Sequence, residues 1–307
     1  MTQIIQTEKL TRCFGKLKAV DSIDLEVNQG EIYGFLGLNG AGKTTMIRML
    51  LGMIRASEGK AFLFGRKVDP GNGSLWNKIG HLVEIPYSYP SLTVRENLEI
   101  FRRLRYLKDP ASVHEVTETL HLQPYMNVKA KNLSLGNAQR LGLAKALIHK
   151  PGLLILDEPA NALDPYGIVQ TRELLEDLAM NHGVTIFISS HILGEVSRLA
   201  TRIGIIHEGK LIRESETDQL KLHRQRALHI RTLENRKALE ILLSLNYQTE
   251  LLDDGTIEIK DNAAISHPEI ISESLALKGL PPSKIGVEEE DLEHFFFRII
   301  SQNSSKT

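Results

Sequence analysis

Gly37-Leu38-Asn39-Gly40-Ala41-Gly42-Lys43-Thr44 fits the phosphate-loop pattern GxxxxGK[ST] with no substitution. An apolar run at 32–36 precedes it, and a helical-looking run at 45–51 follows. This strand–loop–helix order is what a phosphate cradle requires. Glycines let successive backbone N–H groups converge on a triphosphate, and the following helix points its positive dipole end at the same anion. The cradle is expected to comprise Gly37, Asn39, Gly40, Ala41, Gly42 and Thr45, with Lys43 reaching the β- and γ-phosphates and Thr44 ligating Mg²⁺. The loop says nucleotide.

A second signal sits at Leu153-Leu154-Ile155-Leu156-Asp157-Glu158. An apolar strand ending in adjacent carboxylates would bring Asp157 beside the phosphate loop, where it can hold Mg²⁺ through water. Glu158, one residue on, is placed to polarise an attacking water as general base. Further apolar runs at 184–188 and 203–206 read as buried parallel strands. Alternating segments at 4–10 and 19–27, with a short strand at 60–64, suggest a small antiparallel sheet. Residues 92–150 read as a helical lobe, with Thr93 capping a helix through Glu96 and Leu98, Phe101, Leu104 and Leu107 at helical spacing. Together these predict an α/β core, a small antiparallel sheet and an inserted helical lobe within 1–220.

Composition shifts near Lys221. The remainder, 221–307, reads strand (227–232), helix (235–245), strand (247–252), strand (256–260), helix (265–278) and strand (284–287), the βαββαβ order of a ferredoxin-like domain. The aromatic run Phe295-Phe296-Phe297, among acidic residues at helical spacing, reads as a packed terminal helix, and 302–307 as frayed.

The composition narrows the function classes. A net charge of −1 over 307 residues argues against a dedicated nucleic-acid binder. The basic cluster from Lys221 to Arg226 reads as a solvated face or linker. One cysteine, Cys13, excludes an internal disulfide framework, suits a reducing cytosol and reads as a small core residue. No stretch approaches the roughly 20 apolar residues that span a bilayer, and the N-terminus lacks the pattern of a secretory signal. If the function involves a membrane, the spanning part is expected to be another chain.

Leu133-Ser134-Leu135-Gly136-Asn137, followed by Ala138-Gln139-Arg140 and an alanine-containing helix, resembles the signature of the ATP-binding cassette (ABC) ATPases, usually LSGGQ. The resemblance covers about residues 2–220. It implies a RecA-like core with antiparallel and helical subdomains, ATP and Mg²⁺ as ligands, and a site completed by a second ATPase subunit. Ser134 and Gly136 would contact the γ-phosphate held by the opposite subunit; Leu135 and Asn137 depart from the consensus but leave those two intact. By the same resemblance, Ala162-Leu163-Asp164 is similar to the D-loop, with Asp164 communicating across the dimer. Ser189-Ser190-His191 is similar to the switch-histidine segment, with His191 contacting the γ-phosphate and attacking water, and Phe14 takes the place of the aromatic that stacks on adenine. Glu84 stands where most members carry a glutamine, and its carboxylate can still ligate Mg²⁺.

A glutamate there, together with an LSLG signature, resembles the subfamily serving bacitracin and lantibiotic self-protection transporters. The ending from Val287 to Ile300 also resembles that of exporter-type ATPases. The resemblance therefore implies an ATP-hydrolysing subunit, peripheral on the inner face of the cell membrane, that energises separate permease subunits as part of a peptide-antibiotic exporter. An exporter of another lipid or drug and a permease-independent regulatory ATPase stand as alternatives. Ribosome-acting members carry two cassettes in one chain and DNA-repair members insert long coiled coils; neither pattern occurs here.

Overall fold

Strand alternation in the first thirty residues builds a long hairpin, β1 (Gln3–Phe14) and β2 (Leu17–Asn28), with Ile23, Leu25 and Val27 turned inward. The computed structural model describes residues 2–69, 73–83, 87–161, 163–222, 225–290 and 292–304, in two compact units, Met1–Asp218 and Gln219–Thr307. Glu84, Ala162 and His223-Arg224 of the basic cluster lie outside the described residues, as do residues 305–307 of the tail.

After the hairpin come β3 (Ile32–Leu36), the phosphate loop and α1 (Lys43–Leu50), then β4 (Glu58–Leu63), β5 (Arg66–Lys67), α2 (Gly73–Trp76) and β6 (Ile79–Leu82). The lobe holds α3 (Val94–Leu104), α4 (Ala111–Thr119) and α5 (Leu135–Leu147). Thr93 and Glu96 form the expected capping box on α3. Leu98 is buried, but Leu104 is exposed and Leu107 lies past the helix end. The helix stops because Tyr106 takes φ +55, a left-handed conformation no α-helix continues through.

The unit continues with β7 (Leu153–Asp157), α6 (Pro165–Met180), β8 (Thr185–Ser190), α7 (Leu193–Leu199), β9 (Arg202–His207), β10 (Lys210–Glu216) and α8 (Thr217–Leu222), the last running across the division between units. Two sheets result. β2-β1-β4-β5 is antiparallel, whereas β10-β9-β3-β8-β7-β6 is parallel except at the β10 edge. β3, β7 and β8 are buried along their whole length, as continuous apolar strands of a covered parallel sheet should be. Tyr33, Phe35 and Phe187 fill the core between β3 and β8. Cys13 is half-buried on β1 rather than part of this core.

In the second unit β11 (Arg226–Arg231), α9 (Asn235–Ser244), β12 (Thr249–Leu251), β13 (Ile257–Ile259), α10 (Asn262–Ser266), α11 (Pro268–Leu277) and β14 (Lys284–Glu289) form an antiparallel sheet of order β12-β13-β11-β14, the ferredoxin-like arrangement. Leu228, Ile230, Ile257 and Ile259 meet Leu242, Ile271 and Leu275 in its own core. The single helix expected at 265–278 is two. Pro268 bars its predecessor from helical geometry, and His267 sits at φ −133, ψ 63 between α10 and α11. In α12 (Leu292–Ser304), Phe295, Phe296, Ile299 and Ile300 are buried and Phe297 is exposed, so the aromatic run packs as a terminal helix.

Candidate nucleotide site

Sheet order assembles the site. β3 and β7 flank β8, so the phosphate loop, Asp157 and the Ser189-Ser190 pair emerge side by side at the carboxyl edge. Two glycines are required by geometry. Gly42 has φ +111 and an added Cβ would meet the Ala19 carbonyl at 2.2 Å; a Cβ on Gly37 would lie 2.6 Å from the Ile206 carbonyl. No side chain caps α1 at Gly42, which leaves the first turn of the helix open to an anion at the loop. Within the loop the Ala41 N–H donates to the Leu38 carbonyl at 3.1 Å and the Gly37 N–H to the Ser190 carbonyl at 3.3 Å.

Lys43 folds back across this loop and is 6% exposed. Its Nζ donates to the Gly37 carbonyl at 2.7 Å and the Leu38 carbonyl at 3.2 Å, and pairs with Glu158 Oε1 at 3.2 Å. Thr44 Oγ1 donates to Asp157 Oδ2 at 2.7 Å, while Ser189 Oγ donates to Asp157 Oδ1 at 2.5 Å. Glu158 leaves the strand at φ +48, a left-handed conformation that swings its carboxylate toward the loop and is held by its own N–H to Ser189. Its Oε2 meets His191 Nδ1 at 2.7 Å and accepts from Asn161 Nδ2 at 2.6 Å. Burial pushes the Glu158 carboxyl up, but Lys43 and His191 outweigh it and hold the group below the usual carboxylate range. It is therefore ionised and able to take a proton.

Other expected residues are placed apart from this cluster. Ser134 caps α5, accepting from Asn137 N–H at 3.3 Å, and Gly136 lies in the first turn behind it. Asp164 caps α6 through Gly167 N–H at 2.9 Å. Phe14 is 48% exposed at the end of β1, with the Arg12 guanidinium 4.6 Å from its ring centroid, so it is not a core residue. Glu84 lies outside the described residues.

Ser189 and Gln139 stand inside motifs read from the sequence without a role of their own, and Asn161 carries no sequence signal. Gln139 donates to the Pro159 carbonyl at 3.0 Å, tying the signature helix to the turn after Glu158. Ser189 stood inside a noted motif, yet its bond to Asp157 follows only from the β7–β8 register.

The ABC transporter family model matches residues 20–161. The chain is 40% identical to the bacitracin transport ATP-binding protein BcrA of Bacillus licheniformis, over 98% of both chains. It belongs to the ATP-binding cassette family of ABC transporters. A BcrA protein of Enterococcus faecalis is 38% identical over 98% of this chain and 97% of its own. The lantibiotic transport ATP-binding protein SrtF of Streptococcus pyogenes is 36% identical over 70% of this chain and 92% of its own. Among solved structures, a bacterial ABC transporter cassette described as a dimer matches with TM-score 0.65 at 25% identity, covering 70% of this chain and 99% of that one. The cassette thus binds and hydrolyses ATP in the service of transport, and no helix among its described residues is long and apolar enough to cross a membrane.

Proposed function

We propose that this cassette energises export of a peptide antibiotic of the bacitracin or lantibiotic type through separate permease subunits, at the inner face of the membrane. The full-length identity to the bacitracin transport proteins supports the substrate class. The convergence of Lys43, Thr44, Asp157, Glu158 and His191 on one loop carries the catalytic reading.

In that reading the triphosphate of ATP enters the loop and takes Lys43 from Glu158. Released, Glu158 accepts a proton from water as the water oxygen bonds to the γ-phosphorus and the bond to the β–γ bridging oxygen breaks. His191 holds the Glu158 carboxylate through its ring nitrogen and faces the same phosphate. Mg²⁺ suits the hydroxyl and carboxylate oxygens that Thr44 and Asp157 bring together, and when bound it neutralises phosphate charge; Glu84 is proposed as a further ligand. Phe14 offers its exposed ring to adenine.

Ser134 and Gly136 serve the site of a second copy: Ser134 is an exposed cap at the start of α5, bonded to the Asn137 N–H, and no bond among the described residues ties it to its own phosphate loop. Asp164 would lie along the same seam. Two copies would sandwich two ATP molecules and drive the permease by closing and reopening. Exposed Tyr87 and Tyr89, packed edge-on at 5.8 Å where the chain enters the helical lobe, suit docking to permease subunits. Growth in bacitracin or a lantibiotic, comparing the intact cassette with Glu158→Gln, tests the assignment. The intact protein should protect and the variant should not; equal sensitivity to both drugs would overturn the substrate class.

A further inference from the structure

Lys145 is an ionisable group the chemistry above does not use. It lies in the last turn of α5 and is 5% exposed. Its Nζ donates to the Tyr87 carbonyl at 2.6 Å and to Ser88 Oγ at 2.5 Å, and stands 5.0 Å from the centre of the Phe101 ring. None of the ion pairs among the described residues includes it, so its charge is met by a carbonyl, a hydroxyl and a ring face. Burial holds this ammonium down to about 8. A cation is costly in such a place, and a methionine would fill the same space without that cost.

What Lys145 joins gives the cost a purpose. α5 is one uninterrupted helix of 13 residues, with Ser134 at its start and Lys145 at its end. Tyr87 and Ser88 stand five and six residues past the end of β6 in sequence, and β6 pairs with β7, the strand that carries Asp157. A second link, Gln139 to the Pro159 carbonyl, fixes the first half of α5 to the turn after Glu158. The helix is therefore pinned in its first half to the turn after Glu158 and at its end to Tyr87 and Ser88.

We propose that Lys145 is a positioning residue, locking α5 to the Tyr87-Ser88 segment so that the signature end of the helix moves as one body with that segment. Hydrolysis depends on this lock because the signature must reach the phosphate of the other copy. The proposal rests on the shared-site reading of Ser134 and Gly136. It concerns turnover and not capture of ATP, since Lys145 contacts no residue of the phosphate loop.

The test compares the full chain with Lys145→Met, Lys145→Arg, Ser88→Ala and, as a control on the shared site, Ser134→Arg. Lys145→Met is expected to bind Mg-ATP within about twofold of wild type and to lose at least about tenfold in kcat with KM nearly unchanged. Lys145→Arg should recover most of the loss, because its guanidinium reaches the same acceptors. Amides of Tyr87, Ser88, Tyr89, Ser91 and Leu92 should exchange faster in Lys145→Met than in wild type or Lys145→Arg. Ser88→Ala, a change at a half-buried side chain that leaves the fold intact, should lower kcat about two- to fivefold and decides the matter if Lys145→Met does not fold. Wild-type kcat in Lys145→Met or Ser88→Ala, failure of a folded Lys145→Arg to rescue, or ATP binding lost in step with kcat would overturn the lock. Wild-type turnover in Ser134→Arg would instead overturn the shared-site reading, and the lock with it.

Discussion

The two halves of the proposed nucleotide site are built in opposite ways. Around the phosphate loop every functional side chain is held by residues distant in sequence: Lys43 by Glu158, Thr44 by Asp157, Asp157 by Ser189, Glu158 by His191. At the signature, Ser134 bonds only within its own helix turn among the described residues, and the neighbouring Leu135 is 61% exposed. One half is preorganised by its own sheet; the other is a capped helix end facing outward. Preorganised groups need no reorganisation when charge develops, which suits the bond-breaking half. An outward helix end with free N–H groups suits a phosphate arriving from elsewhere. The difference is what the proposed site, divided between two copies, requires.

Substitutions in the two halves should fail differently. Glu158→Gln is expected to reduce kcat by about 10²–10⁴, the usual worth of a general base, with ATP still bound; a rate within fivefold of wild type, measured by phosphate release, would remove Glu158 from that role. Ser134→Arg should reduce turnover by about 10²–10³, in the range of losing a phosphate-stabilising donor, while ATP binding to single chains stays intact. Loss of nucleotide binding in Ser134→Arg would mean that the signature serves its own loop. Phe14→Ala should weaken ATP binding by about 1–2 kcal/mol, the worth of one stacked base, and leave binding of inorganic triphosphate unchanged. A parallel loss of triphosphate binding would show Phe14 to be structural.

The smallest effect concerns pH. Glu158 titrates lower in the folded chain than in the unfolded one, so its contribution to stability is full above the ordinary value of 4.5 and fades as pH falls through the folded value. Glu158→Gln should flatten the acid limb of cassette unfolding below pH 4.5 by under about 1 kcal/mol, since the group is partly screened by solvent. Ser134→Ala should leave that limb unchanged. An acid limb that is identical in Glu158→Gln and wild type would mean the Lys43 and His191 contacts contribute nothing to folding.

The preorganised half was legible in sequence because its parts are contiguous words: a loop pattern, an apolar strand closed by Asp157-Glu158, a histidine after a strand. What could not be read was their mutual wiring. The Asp157–Ser189 bond depends on β7 and β8 being neighbours in register, and no local pattern specifies strand order. The Lys145 tether spans 57 residues and the Lys43–Glu158 pair joins loop to strand end; both are products of packing. In the second unit the strand and helix order was readable from alternation and turn residues. The break at His267-Pro268 was legible too, in the proline, but the helical spacing of Ala264, Ile271 and Leu275 runs straight through it. On α3, apolar spacing extended past the true end because the stop is a backbone event at Tyr106, a residue type that gives no such signal.

The shared site is tested most directly by the mass of Glu158→Gln in solution, measured by light scattering with and without Mg-ATP. The chain should be monomeric without nucleotide and dimeric with it, and adding Ser134→Arg should keep it monomeric although ATP is bound. A Glu158→Gln chain that stays monomeric at saturating Mg-ATP, or a Ser134→Arg double variant that dimerises as readily, would contradict the account.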